Sequence, residues 1–341
     1  MTAPETQTLT QTLTLAEIET LAYDALIAAG TSPENARPLA LATAATEADG
    51  IASHGLAYIP VYCEHVRCGK VDGRANPVLT RPRPGVITVD AATGFAHPAI
   101  AAGFAELMPL AREQGIAALA VRNSYNCGVL GYHTRQLAME GLLGLGFTNA
   151  PASIAPVGGT RTVVGTNPFS IAAPDGKGGL ALLIDQSASV IAKSEIMKHA
   201  REGRPIPEGW GLGPDGQPTT DPAVALKGSM APSGGYKGVG VALLVEVMAA
   251  AMTGATLGID ASPFSGTVGG PPKTGQFFIA IDPEATSGSG FAERIQVLIA
   301  EMHAQPGVRT PGDGRTAKRT HAEGHGVAVN RATLDKIRAM L

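Results

Sequence analysis

Ser53 and His54 stand side by side in the stretch ADGIASHGLAYIPVY, residues 48–62, and these two residue types could act together in proton transfer. An imidazole gains and loses a proton near neutral pH, and a neighbouring hydroxyl can fix its orientation. In the alternative interpretation, Ser53 caps a helix and His54 lies at its exposed start. A helix that began at Ser53 would hold Pro60 in its interior, which is unfavourable. The sequence therefore predicts irregular chain as far as Tyr58 and a helix from there.

A second group of residues could bind an anion. Residues 122–133, RNSYNCGVLGYH, follow a predicted strand and open a helix, and the N–H groups at a helix start favour a phosphate. Arg309 and Arg315 flank a turn in RTPGDGR, and Lys237 stands at the start of an apolar helix, where its charge opposes the helix dipole. Each of these features also fits an ordinary capped or solvated loop, so none of them identifies a site alone.

Two polar positions lie at the ends of predicted strands. Thr166 precedes an Asn-Pro pair between two strands, which is a common turn signal. Asp185 ends the apolar run LALLIDQS, and the carboxyl end of a buried strand is a usual place for a polar group that faces a site.

The elements that must position these groups alternate between helices and strands. Apolar spacing and capping signals predict helices over residues 15–30, 32–50, 58–68, 97–115, 132–141, 193–203, 236–254 and 290–305. Short apolar runs predict strands over residues 86–90, 116–123, 142–149, 168–174, 180–187 and 275–282. A loop rich in Pro and Gly is predicted over 204–226, and helix 236–254, apolar throughout, is expected to be central. No strand is followed by G-x-G-x-x-G, so the mixed α/β pattern predicts a fold other than the Rossmann type.

Composition excludes several classes of partner. The net charge is −3 with no long basic run, so neither nucleic acid nor a membrane surface is expected as a partner. The first residues lack a basic start followed by an apolar block, so no signal peptide is expected. Cys63, Cys68 and Cys127 have no C-x-x-C spacing and are interpreted as reduced thiols of a cytoplasmic protein, with no metal site expected.

The order of the motifs is more specific than any one of them. A-D-G-x-x-S-H-G-L is followed by R-N-S-x-x-x-G-x-x-G-Y, A-P-x-G-G…G-T-N-P, I-D-Q-S, P-E-G-W…D-G-x-P-T-T-D-P, G-G-Y-K-G and R-x-P-G. Together they resemble the type-2 malate/L-lactate dehydrogenase family, which includes sulfolactate and ureidoglycolate dehydrogenases and the piperideine-2-carboxylate/pyrroline-2-carboxylate (ketimine) reductases. The resemblance extends over roughly residues 14–330.

The resemblance implies a fold and a catalytic set. Members are homodimeric NAD(P)-dependent oxidoreductases with a malate/sulfolactate-dehydrogenase-like fold. A helical substrate and dimer domain would comprise residues 1–80 and 285–341, and a nucleotide-binding α/β domain would comprise 81–284. By similarity His54 is the proton donor and Ser53 its orienting partner. In the ketimine-reductase branch an acidic residue completes the relay, and Glu195 is the nearest match.

The resemblance also carries nucleotide contacts onto this chain. They fall on Asn126, Cys127, Gly128, Val129, Leu130, Thr166, Ile184, Asp185, Gln186, Lys237, Arg309, Gly312 and Arg315. The cations among them would hold phosphates and favour NADP(H) over NAD(H).

Two departures concern the substrate. Many relatives carry an arginine that pairs with the substrate carboxylate, and this chain has Tyr58 there. Many also have a histidine in the segment matched by residues 125–127, and this chain has none, so His133, one helical turn further on, is the nearest candidate for substrate contact. The leading hypothesis is reduction of a small 2-oxo acid of the malate, lactate or sulfolactate type. A cyclic 2-imino acid is the alternative, and a nucleotide-binding member with little turnover is the second alternative.

Overall fold

The computed structural model describes residues 9–341 of the 341-residue chain. The prediction that the N-terminus forms no signal peptide concerns residues 1–8 in part, and these lie outside the described residues. Across residues 9–341, no helix combines the length and the apolar character that a membrane crossing requires.

Strands and helices alternate along most of the described chain. The strands are β1 Thr10–Leu13, β2 Val78–Arg83, β3 Val86–Asp90, β4 Ile116–Ser124, β5 Leu143–Thr148, β6 Phe169–Pro174, β7 Leu180–Gln186, β8 Gly211–Leu212, β9 Pro218–Thr219, β10 Ser229–Met230, β11 Thr274–Ile281 and β12 Val327–Asn330. The helices are α1 Leu15–Ala28, α2 Pro33–Ala48, α3 Ile59–Arg67, α4 Ala96–Gln114, α5 Leu130–Met139, α6 Lys193–Arg201, α7 Pro222–Ala225, α8 Tyr236–Glu246, α9 Pro283–Ser287, α10 Phe291–His303, α11 Asp313–His325 and α12 Arg331–Arg338.

The first helices begin where their capping residues predict. Thr14 and Glu17 form a reciprocal capping box at α1, in which Thr14 Oγ1 accepts from the Glu17 N–H at 3.2 Å. Ser32 caps α2, with proline at its first helical position. The predicted late start of α3 is confirmed, because two single 3₁₀ turns, Ala52–His54 and Leu56–Tyr58, precede the helix.

Both ends of the chain contribute to one helical lobe. Strand β1 pairs antiparallel with β12, so that Thr10 lies opposite Asn330. The side chains of Ile18 and Leu26 share a buried apolar cluster with Leu334 and Ile337 of α12. The division into residues 1–80 with 285–341 and 81–284, and the substrate and dimer role of the helical part, stay predictions.

A seven-stranded sheet in the order β2-β3-β4-β11-β5-β6-β7 forms the centre of the molecule. Among the described strands of this sheet, β3 and β4 are the single parallel pair. Successive residues of β11 point to opposite faces, so Phe278 packs with α4 and α5 while Phe277 packs with α8. The prediction of a mixed α/β fold is confirmed, and the antiparallel pairing differs from the parallel sheet of a Rossmann domain.

Three expectations about elements were wrong. The helix predicted over 236–254 is present, as α-helix Tyr236–Glu246 followed by a π-helical turn, Val247–Ala251, but its expected central position is wrong. One face of α8, including Leu243 at 48% and Leu244 at 53% exposure, is left uncovered by this chain. The turn predicted at Arg315 is the first turn of α11, whose sequence has too few apolar residues for a periodic signal. The loop predicted over 204–226 contains α7, β8 and β9.

Candidate active site

The residues that follow α2 form a compact loop that presents His54. We call residues 49–58 the histidine loop. Its two 3₁₀ turns bring Ser53 Oγ to 3.0 Å from His54 Nδ1, which leaves His54 Nε2 for another partner. The His54 ring lies parallel to the Tyr58 ring, with 4° between the planes and 6.2 Å between the centroids. Ser53 is therefore a partner of the imidazole, and no side-chain cap of the 3₁₀ turn is formed.

A buried carboxylate fixes the far side of this loop. Glu47 is only 5% exposed, and its Oε1 accepts a hydrogen bond of 2.7 Å from the Leu56 N–H. An added Cβ on Gly55 would lie 2.2 Å from the same oxygen, so glycine is required directly after His54. Burial raises the pKa of Glu47 above its usual value, although the Leu56 hydrogen bond opposes that shift. No sequence signal points to Glu47, because a carboxylate in a helix is ordinarily exposed.

Asp185 connects the histidine loop to the C-terminal part of the chain. It lies at the end of β7, and its Oδ2 accepts from Arg315 Nη1 at 2.7 Å. An added Cβ at Gly131 would lie 2.7 Å from that oxygen and 2.9 Å from the arginine nitrogen, so α5 leaves room for the ion pair only because residue 131 is glycine. Burial lowers the pKa of His54, and the negative charge of Asp185 acts in the opposite direction. The structure thus brings together Asp185, Arg315 and His54, which were singled out separately.

The two positions where the chain departs from many relatives contact each other. Asn126 Nδ2 lies 3.4 Å from the Tyr58 hydroxyl, a long hydrogen bond, and Asn126 Oδ1 accepts from the Gly128 N–H at 2.6 Å. The second bond fixes the amide so that its NH₂ faces Tyr58. Burial raises the pKa of Tyr58 to about 12, so its hydroxyl stays neutral. Beside His54 the chain therefore presents a hydroxyl and an amide, both uncharged.

A segment distant in sequence covers this pair. The Tyr58 hydroxyl donates to the Phe264 carbonyl at 3.4 Å, and the Phe264 ring packs against that of Tyr125. Lys70 has no exposed surface and donates to the carbonyls of Pro263 at 2.7 Å and Gly266 at 2.9 Å. These contacts hold residues 263–266 over Tyr58, and sequence reasoning missed them because no motif links positions so far apart.

The loop between β4 and α5 rests on two buried histidines. His133 is 2% exposed, and its Nε2–H donates to the Cys127 carbonyl at 2.9 Å. Burial lowers the pKa of His133 to about 4, so the ring is neutral. The ring of His97 lies beside it, with 5.3 Å between centroids. His133 therefore supports the loop from Cys127 to Leu130 from below, and its predicted substrate contact stays a prediction.

A cleft rich in cations opens next to the histidine loop. Its volume is about 660 Å³, and it is lined by Asp49, Gly50, Ile51, Gly307, Arg309, Thr310, Pro311, Gly312, Gly314, Arg315 and Lys318. We call it the cationic cleft. Gly312 precedes the first residue of α11 and has a φ of 106°, which favours glycine. It lies against β7, where an added Cβ would be 3.1 Å from Leu183. Lys318 was not among the residues singled out from the sequence, because it lies beyond the R-x-P-G motif.

Other residues singled out from the sequence form no hydrogen bond or ion pair with Ser53, His54, Asp185 or Arg315 within the described chain. Glu195, on α6, pairs with Lys198 at 4.0 Å and, within the described chain, makes no hydrogen bond to Ser53 or His54. Lys237 is exposed in the first turn of α8. The Thr166 carbonyl accepts from the Ala188 N–H at 2.8 Å, which places that turn beside the end of β7.

The remaining residues at the strand ends either form structural hydrogen bonds or are exposed. The Ile184 carbonyl accepts from Ser170 Oγ at 2.9 Å, and Gln186 is exposed at the end of β7. Asn167, which follows Thr166, is fully buried, and its Nδ2 donates to Glu246 Oε2 at 2.7 Å. The Asn-Pro turn is therefore anchored to α8 by a side chain that the sequence identified only as a turn residue.

The arrangement places a group that can donate a proton beside a cleft that can bind an anion. His54 is held by Ser53 in a half-buried position, where burial lowers its pKa and the charge of Asp185 opposes that shift. An imidazole in such a position has the chemistry to donate and accept a proton. The cationic cleft, a few residues away along the same loop, suits a phosphate-bearing ligand. A substrate placed between them could receive a proton on one side and be reached by a bound cofactor on the other.

Comparison with known proteins agrees with this chemistry. Residues 13–338 match the family model described as malate/L-lactate dehydrogenase. The chain is 42% identical over 327 residues to a (2R)-3-sulfolactate dehydrogenase (NADP(+)) of Chromohalobacter salexigens, which covers 96% of this chain and 97% of that protein. It is 39% identical over 331 residues to a Δ1-pyrroline-2-carboxylate reductase of Ancylobacter novellus, with 96% and 97% covered. The crystal structure of Δ1-piperideine-2-carboxylate reductase from Pseudomonas syringae superposes with a TM-score of 0.91 at 34% identity, covering 97% of this chain and 100% of that one.

Proposed function

The chain belongs to the malate/L-lactate dehydrogenase family, and from this premise we propose that it reduces the C2 carbonyl of a small 2-oxo acid with a nicotinamide cofactor. The observation that carries the proposal is the Ser53–His54 hydrogen bond of 3.0 Å on a loop that borders the cationic cleft. A proton donor and a phosphate site so close together suit hydride transfer to a polarised double bond.

His54 and Ser53 perform the proton transfer. When bound, the reduced nicotinamide supplies the hydride that reaches C2. His54 donates its Nε2 proton to the oxygen as negative charge develops there, and it recovers a proton from water afterwards. Ser53 holds Nδ1, so the ring keeps one orientation while its charge changes. In the reverse direction neutral His54 accepts the hydroxyl proton.

We propose NADP(H) as the preferred cofactor. The loop from Asn126 to Leu130, the turn at Thr166, the end of β7, Lys237 and the turn from Arg309 to Arg315 would hold it. Its phosphates fit the cationic cleft, where Gly312 and Gly314 leave the backbone at the start of α11 open to a ligand. The relative from Chromohalobacter salexigens is named for NADP(+), which supports the same choice.

Two substrate classes agree with the named relatives. A 2-oxo acid of the sulfolactate type is the leading proposal because a relative with 42% identity is a sulfolactate dehydrogenase. A cyclic 2-imino acid is the second, because other relatives are named as reductases of pyrroline-2-carboxylate or piperideine-2-carboxylate. The uncharged Tyr58–Asn126 pair motivates a third possibility, a nucleotide-binding member with little turnover.

We further propose a homodimer in the cytoplasm. Exposed apolar side chains along α8 and the π-turn support a second copy as the partner, among them Tyr236 at 72%, Val247 at 52% and Met252 at 58% exposure. The three cysteines are unpaired, as expected in a reducing compartment. Light scattering of the native chain and of Leu244→Asp tests the dimer, which the substitution should dissociate.

Separate assays with each substrate test the proposed function. Oxidation of NADPH and of NADH is followed with pyruvate, oxaloacetate, sulfopyruvate, pyrroline-2-carboxylate and piperideine-2-carboxylate. Turnover with a 2-oxo acid supports the leading proposal, and turnover with the cyclic imines alone supports the second. Tight NADPH binding without turnover on any of the five compounds would support the third proposal, a nucleotide-binding member with little turnover.

A further inference from the structure

We propose that Lys70 is a positioning residue for substrate binding, and that it holds residues 257–272 over Tyr58 as one wall of the substrate site. We call residues 257–272 the strap. The proposal rests on the proposed function, because it assumes that the space beside His54 and Tyr58 receives the substrate. It assigns a role to a buried lysine to which neither the sequence motifs nor the named relatives point.

The strap leaves the sheet side of the molecule from a fixed base. The Thr256 N–H donates to the Lys273 carbonyl at 2.9 Å, so the residues that flank the strap are paired with each other. The Gly258 N–H donates to Glu246 Oε1 of α8 at 2.6 Å, and Asn149 Nδ2 donates to the Thr256 carbonyl at 2.9 Å. Both ends are therefore anchored to the α/β part of the chain, and the middle of the strap must find its partners elsewhere.

The middle of the strap depends on side chains from another part of the fold. Among the described residues, no backbone N–H or carbonyl of residues 262–272 bonds to another backbone group. Four side-chain hydrogen bonds reach strap carbonyls instead, and all of them come from α3 and its two flanks. Tyr58 and His65 donate one each, at 3.4 Å and 3.0 Å, and Lys70 donates two, at 2.7 Å and 2.9 Å. Half of the bonds that hold the strap over the site therefore come from Lys70.

Lys70 differs from the other two donors because it brings a charge into the interior. It has no exposed surface, and within residues 9–341 it forms no ion pair. Burial of an ammonium group is costly unless hydrogen bonds compensate for the lost water. In the described chain its Nζ donates to the carbonyls of Pro263 and Gly266, and both belong to the strap. Compensation of the buried charge therefore requires the strap to stay in place.

The lysine is itself held at the end of α3. The Lys70 N–H donates to the His65 carbonyl at 2.9 Å, which fixes the backbone of the lysine against the last turn of the helix. His65 Nδ1 contacts the Tyr125 hydroxyl, and the Tyr125 ring packs against that of Phe264 with 5.5 Å between centroids. Lys70, His65 and Tyr125 thus form one connected support on which the strap rests.

A strap in this position closes the substrate space on the side of Tyr58. The Tyr58 ring lies parallel to that of His54, and its hydroxyl donates to the strap. Release of the strap would leave that hydroxyl without its acceptor and would open this side of the site to water. Substrate binding should therefore weaken. Proton transfer should change little, because Ser53 Oγ holds His54 Nδ1 independently of the strap.

Limited digestion with chymotrypsin tests the positioning without turnover. Chymotrypsin cleaves after aromatic residues, and Phe264 is protected while its ring packs against Tyr125. Cleavage there gives fragments of residues 1–264 and 265–341, which mass spectrometry identifies. We expect this bond to be cut about tenfold faster or more in Lys70→Met than in the wild type, because two hydrogen bonds from a charged donor are lost.

Two further variants accompany the digestion. Lys336→Met changes an exposed lysine on α12 in the same way and should be cut at the wild-type rate. His65→Leu removes one bond to the strap and leaves Lys70 in place, so it should accelerate the same cleavage by a smaller factor. It provides the test if Lys70→Met does not fold.

Steady-state kinetics test the role in substrate binding with each of the five compounds that supports turnover. In Lys70→Met we expect KM for that compound to rise about tenfold, while kcat and KM for NADPH stay within a few fold of the wild type. A general loss of structure would instead lower kcat and raise both KM values together. The difference between these two patterns separates a positioning role from a purely structural one.

The outcomes also separate this proposal from the proposed function. If none of the five compounds is reduced, the proposed function fails, and faster cleavage after Phe264 in Lys70→Met still supports the hold of Lys70 on the strap. Equal cleavage in Lys70→Met and the wild type would overturn the proposal. So would faster cleavage with an unchanged KM for a compound that is reduced, or a kcat that falls as both KM values rise.

Discussion

The histidine loop and the cationic cleft are neighbours, yet they are built in opposite ways. In the histidine loop nearly every polar group has a partner within the chain, from Glu47 with the Leu56 N–H to Ser53 with His54. In the cationic cleft, Arg309 and Lys318 remain exposed and glycines keep the backbone accessible. In the proposed function His54 donates a proton and must keep one orientation, which its hydrogen bond to Ser53 supplies. An anion site must keep its charges unneutralised until the ligand arrives.

Asp185 and Arg315 form the boundary between these two regions. The aspartate influences the pKa of His54, while the arginine lines the cleft. They pair at 2.7 Å, so one ion pair joins a residue near His54 to a residue that lines the cleft.

The largest effect is expected from His54→Ala. Loss of the proton donor should lower kcat by about 10²-fold to 10⁴-fold, because a positioned general acid contributes that much. NADPH affinity should stay within a few fold, because the cleft keeps its cations. Rapid-mixing kinetics and calorimetry measure the two separately, and wild-type turnover in this variant would falsify the assignment of His54 as proton donor.

Glu47→Leu should have the next largest effect. It leaves the Leu56 N–H without its buried acceptor, which costs about 1–3 kcal/mol of stability and displaces the loop that carries His54. We expect kcat to fall on the order of 10-fold to 100-fold, with unchanged affinity for 5′-AMP. Glu47→Gln keeps an acceptor oxygen and should restore most of the rate. Equal rates in the wild type and Glu47→Leu would show that the loop is held by other contacts.

Asp185→Asn should shift the pH profile of reduction. Reduction needs protonated His54, so kcat/KM is constant below the pKa of His54 and falls above it. Burial lowers that pKa and the charge of Asp185 opposes the shift, so removing the charge lowers the pKa further. The falling limb should move to lower pH, and the rising limb of the oxidation reaction should move the same way. Unchanged limbs would mean that Asp185 acts only through Arg315.

The smallest effect is expected from Tyr58→Arg, which introduces a charge into the neutral part of the site. A guanidinium beside His54 can pair with a substrate carboxylate, but it must be desolvated and it loses the Tyr58 bond to the Phe264 carbonyl. We expect roughly a few-fold gain in kcat/KM for pyruvate and oxaloacetate. The Tyr58→Phe variant, assayed in parallel, separates the effect of the new charge from that of the lost hydroxyl. No gain in Tyr58→Arg would place residue 58 away from the substrate.

Much of the fold followed from local patterns. The capping box at Thr14, the Ser32-Pro33 start of α2 and the delay of α3 to Ile59 depend on neighbouring residues and were predicted correctly. Helix α11 was missed because it is polar almost throughout, and β1 and β12 were missed because each is four residues long. Such elements owe their stability to contacts between chain ends, which no local pattern contains.

The sequence by itself determined the family, the mixed α/β class and the adjacency of Ser53 and His54, because motif order and residue spacing are written along the chain. Only the tertiary structure decided that Glu47 fixes the histidine loop and that Asp185 pairs with Arg315. It also decided that Tyr58 meets Asn126, and that Lys318 borders the cationic cleft. These contacts join residues far apart or on separate elements. Their existence depends on how helices and strands pack, and their strength depends on the burial that packing creates.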